Sequence, residues 1–273
     1  MHEERENSST RAVKKAVVQP SHAPSRAKSS RLLYLFFLVF AGLVGGVISL
    51  FFLADSLAAL GIPDPGRLTT FGLPFFRAVA WMLMALSVGS FMASAFLIHP
   101  AVPEGDNERL NMARLTVDGH LAARTGAWAA LGAGMVSLLE VPLVMSDLTG
   151  TPLGQVLNSE LMGMAVGQIA ASQVWLVTAV IAAVVAVVGF AARSWSGQVV
   201  AFFLSLLLTV PLGLEGHSAA GGDHDYGTNS LLLHLLFIML WVGGLMGLIA
   251  HGRRLGPDMG VAVRRYSLSL IHI

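Results

Sequence analysis

The sequence predicts an all-α protein, a polytopic transmembrane helix bundle, and three observations predict it. Of its 273 residues 55% are hydrophobic and only 12% are charged. That is about half the charged share of a soluble domain (~25%) and leaves too little polar surface to keep a globule of this size in water. Several apolar runs approach the ~20 residues that cross a hydrocarbon core. These runs do not alternate in polarity as barrel strands would. Backbone groups in lipid must be satisfied within their own segment, so each run reads as a helix.

Taken in order, residues 1–31 are rich in Ser, Ala, Glu and Lys/Arg, include Pro20 and Pro24, and hold almost no large apolar side chain. Such a segment cannot bury enough surface to offset its chain entropy, and a disordered basic cytoplasmic tail is expected. Residues 32–273 form the transmembrane helical domain. Its first run, Leu32–Leu53, exceeds the ~7–15 residues of a signal-peptide core and reads as a retained span. The next spans are Phe75–Ile98, Ala127–Met145, Val174–Ala192, Val199–Leu214 and Ser230–Ala250. The fifth is short, and Glu215 marks its arrival at an interface. Leu161–Ala171 is too short to cross alone and reads as an interfacial or re-entrant segment, or as an extension of the fourth helix. Six spans are therefore visible, with Arg264, Arg265 and Tyr266 opening the start of a seventh. Small-residue pairs at Gly42/Gly46, Gly163/Gly167 and Gly243/Gly247 permit close helix approach in lipid.

Lys/Arg placement sets the expected orientation. Seven lie in the tail, the first loop holds only Arg67, and Arg77 lies just inside the second span. The second loop holds Arg109, Arg114 and Arg124, the fourth holds Arg193, and four follow the sixth span. The third and fifth loops hold none, so fifteen of seventeen fall on the N-terminal side and a cytoplasmic N-terminus is expected.

The chain has no cysteine, which excludes disulfides, iron–sulfur clusters, thiolate zinc sites and cysteine nucleophiles. A soft metal would have to be held by His or Met. The fifth loop, Glu215-Gly216-His217-Ser218-Ala219-Ala220-Gly221-Gly222-Asp223-His224-Asp225-Tyr226-Gly227-Thr228-Asn229, gathers two imidazoles and three carboxylates with no competing cation. Imidazole suits copper, zinc, iron and nickel, and His217, His224, Asp223 and Asp225 are candidate ligands; a solvated polar loop is the plainer alternative. Two ionisable residues fall within spans, where such side chains are costly and point to function. His234 sits four residues past the start of the sixth expected span, and Glu140 five residues before the end of the third, at similar depth. An ion or proton relay between them is possible on that spacing. The alternatives are a helix-packing imidazole, sharing its face with Trp241, and a glutamate facing water at a helix break made by Pro142. Met145, Met162 and Met164 are soft donors on the same side, though methionine in such helices mostly packs. His99, His120 and His251 read as interfacial on the other side. With no phosphate-binding glycine loop, zinc-protease histidine pair or nucleophile elbow, no enzyme activity is expected. The net charge of +1 gives no reason to expect nucleic acid as a partner.

Three stretches carry a resemblance: Gly216-His217-Ser218-Ala219-Ala220, then Asn229-Ser230-Leu231-Leu232-Leu233-His234, then Leu240-Trp241-Val242-Gly243-Gly244-Leu245, with Arg264-Arg265-Tyr266 following. Over about 210–266 this resembles the copper-resistance D family of multi-span bacterial inner-membrane proteins. The resemblance implies copper import or homeostasis, with His217 and His234 as copper histidines. It implies a plasma (inner) membrane location, and as partners the copper ion, the lipid bilayer, and an extracytoplasmic copper-binding protein or cytochrome oxidase subunits. Actinobacterial relatives often fuse such a half to a cytochrome c oxidase assembly (CtaG-like) half, which is not visible here. Ser267–Ile273 resembles translated sequencing-adapter DNA, so the expectation is a truncated chain, with no role for His272. Two other readings stay open: a haem-b membrane cytochrome carrying electrons, and a scaffold for oxidase assembly with no ligand of its own. For the first, His234 and His251 stand 17 residues or about 25 Å apart along one helix, too far to share a haem.

Overall fold

The computed structural model describes residues 31–52, 64–98, 112–214 and 224–271. Among these the regular structure is helical throughout. Helix α1 is Arg31–Phe52 and α2 is Arg67–Met92, which continues as a π-turn over Ala93–Leu97. Helix α3 is Met112–Thr149, α4 Ser159–Gly167, α5 Ala170–Ala191 and α6 Trp195–Leu206. A 3₁₀ turn at Leu207–Thr209 and a helical turn at Val210–Gly213 prolong α6. Helix α7 is His224–Leu255 and α8 Met259–Ile271.

Five stretches are long and apolar enough to cross a membrane: Arg67–Leu97, Thr116–Thr149, Ala170–Ala191, Trp195–Gly213 and Gly227–Gly252. The 22-residue α1 adds a sixth apolar helix, and the 13-residue α8 lies where the start of a seventh was expected. The protein is a multi-pass membrane helix bundle. The tail, the first two loops in large part, and Glu215–Asp223 lie outside the described residues.

Helix α2 is the hub, packing on α1, α3, α6 and α7, while α5 lies along the other side of α3. In its most apolar window 72% of α2 is buried, against 33% of α7, so α2 is core and α7 is periphery. Lipid, not water, is the solvent for the outer faces, which is why Phe36, Val180, Val187 and Phe237 stand exposed at no cost.

Glycine decides where helices meet. A side chain at Gly89 of α2 would strike the carbonyl of Gly243 on α7, and one at Gly247 would strike the carbonyl of Gly89. Gly42 and Gly46 of α1 rest on the rings of Phe75 and Phe71. These two expected small-residue pairs are packing contacts. Gly163 and Gly167 are not, since a Cβ added at either would meet no other part of the described residues within 4 Å.

Three boundaries differ from the sequence expectation. Helix α3 passes through Pro142 and runs to Thr149, where Gly150, at φ 61°, closes it. Gly150 N–H donates to Asp147 O (3.4 Å) and Thr151 N–H to Ser146 O (3.2 Å), the paired bonds of a Schellman stop. Helix α7 starts at His224, within the expected loop. The apolar stretch Leu161–Ala171 divides: α4 begins where the Asn158 side chain accepts from Leu161 N–H (2.8 Å), and it ends before α5.

Candidate functional site

At the end of the bundle where α2 begins, Arg77 of α2, Glu140 of α3 and Trp175 of α5 converge. The Arg77 Nε stands 3.6 Å from Glu140 Oε2, an ion pair longer than a hydrogen bond. Glu140 is wholly buried, whereas the Arg77 side chain is 39% exposed. The Arg77 guanidinium also lies 5.3 Å from the Trp175 ring centroid, within cation–π range. Trp175 is 1% exposed, and its Nε1, like the Oγ of Ser137 one turn before Glu140, is buried with no hydrogen-bond partner among the described residues. Nearer the helix ends, Thr69 Oγ1 and Ser146 Oγ are 2.6 Å apart, and Ser146 Oγ donates to Thr151 O (2.7 Å).

The opposite end, where α2 stops, is held by donors aimed at backbone carbonyls. Trp195 Nε1 donates to Ala95 O (2.9 Å) and Arg265 Nη1 to Leu97 O (3.1 Å). Both carbonyls belong to the π-turn, among the last carbonyls of the helix, which lack intrahelical donors. Arg265 there also faces the negative end of the helix dipole. Ser94 Oγ donates to Gly119 O (2.8 Å) and Ser87 Oγ to Gly126 O (3.0 Å), tying α2 to α3. Tyr266 Oη donates to Trp241 O (2.6 Å), and its ring lies over Gly244, where a Cβ would collide with it.

Of the expected ligands, Glu140 is buried against Arg77. His234 lies on the exposed face of α7, as does Trp241. Both remain at similar depth: Glu140 is nine residues before Thr149 and His234 ten after His224, about 14–15 Å from the respective helix ends. The expected glutamate at a helix break facing water is corrected: the helix is unbroken and the carboxylate is enclosed. His224 and Asp225 form the first residues of α7, with side chains outside the described set; His217 and Asp223 lie outside the described residues. Among the described residues no three His, Asp or Glu gather as a metal site. Met145 is core and Met164 is exposed.

His251, expected at the interface, is instead 4% exposed, with Nε2 3.3 Å from Ser90 Oγ beside the Gly247–Gly89 crossing. His120 Nδ1 stands 3.4 Å from Gln198 Nε2. Arg77 is the residue that sequence reasoning passed over. It entered only the charge count for orientation, although its position just inside the second expected span was the available signal.

Comparison with known proteins places these helices. The family model for the copper resistance protein D-like N-terminal domain matches residues 67–225, more than half of the chain. The chain belongs to that family. The matched domain comprises α2 to α6 and the following segment through His217, ending on Asp225, while α1 and most of α7 lie beyond it. It covers the second to fifth spans, and it overlaps the stretch around 210–266 that carries the resemblance only at the start of that stretch. Uncharacterized proteins of Mycobacterium bovis and Mycobacterium tuberculosis are each 28% identical over 194 residues. That stretch is 70% of this chain but 27% of each relative's length, so the chain spans about a quarter of the curated relatives it matches. No solved structure matches.

Proposed function

We propose that this copper-resistance D-like membrane protein binds copper at the end of the bundle where α7 begins, and passes it through the helices or to oxidase assembly. The observation that carries the reading is the family match over 67–225, whose last residues are the His217–Asp225 cluster. Copper is the cargo rather than a resident cofactor. His217, His224 and His234 supply the imidazoles it accepts in either common oxidation state, and Asp223 and Asp225 add charge suited to Cu(II). Glu140 is turned to Arg77, so its part is electrostatic support below those ligands rather than primary coordination. The lysine and arginine distribution supports an outer-face position for this end, with the N-terminus in the cytoplasm of a bacterial plasma membrane. An extracytoplasmic copper-binding protein or oxidase subunits are the partners that such a position suits.

The test is metal content of the purified full chain and copper accumulation by cells expressing it. The wild type is expected to retain copper and His217→Ala/His234→Ala to fall to background; unchanged binding and uptake in that double variant sinks the mechanism. Because the chain lacks cysteine, single cysteines placed in the tail and at position 218 report sidedness in the same preparations. Labelling of both from one side overturns the orientation.

A further inference from the structure

Helices α1 and α7 both pack on α2 and leave a cleft of about 220 Å³ between them. Met82 and Leu86 of α2 line it, with Leu38 of α1 on one side and Val242, Met246 and Ile249 of α7 on the other. Every lining side chain is apolar, so the cleft offers water no polar partner. It opens on the lipid-facing surface, where Phe37 at its rim is 45% exposed and Ile249 51%. The seams beside it are closed by glycine, with Gly42 and Gly46 of α1 and Gly243 and Gly247 of α7 against α2. The cleft has no Gly, Ala, Ser or Thr in its lining, and helices that meet in lipid use such small residues to bring their backbones close. A hydrocarbon chain has no such need, and Met82 and Met246 can adjust to its path.

Register carries both sides of the cleft to an arginine. On α7, Val242, Met246 and Ile249 recur at spacings of four and three, and the next position on that stripe is Arg253. On α1, Arg31 opens the helix seven residues before Leu38 and so shares its face. Gly42 meets Phe75 and Gly46 meets Phe71, so α1 runs against α2; Gly243 meets Ala85 and Gly247 meets Gly89, so α7 runs with it. The start of α1 and the finish of α7 therefore fall at the same end of the bundle. Both arginine positions stand about 6–10 Å beyond the lining along their helix axes. The acids described at this end, Asp118 and Asp258, are buried and line no part of the cleft.

We propose that the cleft between α1 and α7 binds one acyl chain of an anionic phospholipid, with the lipid phosphate at the Arg31–Arg253 end. The chain supplies the apolar contact that the lining lacks on its open side, and the headgroup supplies the charge that two arginines at a membrane surface attract. Guanidinium suits a phosphate because its planar fork matches two oxygens at once. A zwitterionic lipid brings the same chain and phosphate, but its own ammonium offsets the charge. The site is therefore selective for net negative headgroups.

The experiment is native mass spectrometry of the full chain in detergent, given equal amounts of phosphatidylglycerol and phosphatidylcholine with identical acyl chains; circular dichroism confirms folding. The wild type is expected to retain one phosphatidylglycerol in preference to phosphatidylcholine. Arg31→Gln/Arg253→Gln should lower that preference by about fivefold per arginine. Arg124→Gln/Arg193→Gln, which removes two exposed arginines on α3 and after α5, should leave it unchanged. Val242→Trp, which fills the cleft, should lose the bound lipid. Equal retention of the two lipids by the wild type overturns the proposal. So does a preference that survives loss of Arg31 and Arg253, or one that falls as far in the Arg124/Arg193 control. Lipid retained by a folded Val242→Trp, or a dimer that this substitution dissolves, assigns the cleft to another occupant and overturns it too. If Val242→Trp does not fold, the arginine variants decide alone. The measurement uses no copper, so its failure is separate from failure of the copper reading.

Discussion

Where α2 begins, its polar contacts with neighbouring helices include a charged one: Arg77 and Glu140 stand 3.6 Å apart, with the guanidinium over the ring of Trp175. Where α2 stops, the contacts are hydrogen bonds from Trp195, Arg265 and Ser94 to main-chain carbonyls at 2.8–3.1 Å. The second arrangement satisfies groups that a helix end always leaves open, and it holds whatever the cell's pH. The first brings two ionisable groups into a medium where ionisation is expensive. One end is therefore built as a fixture. The other rests on a pair of opposite charges.

The largest effect expected from breaking this contrast is at the charged end. Arg77→Ala takes that cation away from the wholly buried Glu140 carboxylate and should destabilise the bundle by about 3–5 kcal/mol, read as a lowered thermal midpoint in detergent. Replacing both partners, Arg77→Met with Glu140→Met, should restore most of that loss. If the double variant is as unstable as the single one, the pair is not what the single substitution disturbs. At the other end, Arg265→Met removes a charge-assisted bond to Leu97 O and should cost about 1.5–3 kcal/mol by the same measurement. The smallest effect belongs to Tyr266→Phe, which keeps the ring over Gly244 and loses only the bond to Trp241 O, about 0.5–1.5 kcal/mol. A loss larger than that of Arg265→Met would mean that the hydroxyl holds α8 more firmly than the arginine does.

The residues that made the chain recognisable have mostly structural roles here. In Leu240-Trp241-Val242-Gly243-Gly244-Leu245, the carbonyl of Trp241 receives Tyr266, Gly243 lets the α2 backbone in, and Gly244 makes room for the tyrosine ring. Arg265 and Tyr266 complete that seam from α8. The pattern was legible because close packing restricts residue type at each position. Its reason was not, because the partner carbonyls at Ala95 and Leu97 lie in a π-turn that no composition announces. His251 shows the same limit. Its place along the helix suggested an interface, but the face it presents is the one that Gly247 brings against Gly89.

The sequence by itself determined that this is a helical membrane protein, which segments cross, and that Glu140 and His234 are unusual. Those conclusions follow from one-dimensional quantities: apolar length against bilayer thickness, and the cost of ionisable groups in lipid. The tertiary structure alone decided which of the two is enclosed. Burial and pairing depend on the angular face each helix turns to its neighbours, and that is set by glycine contacts dozens of residues away. So Glu140 meets Arg77, a residue that had entered only the charge count for orientation, while His234 stays on the outer face of α7.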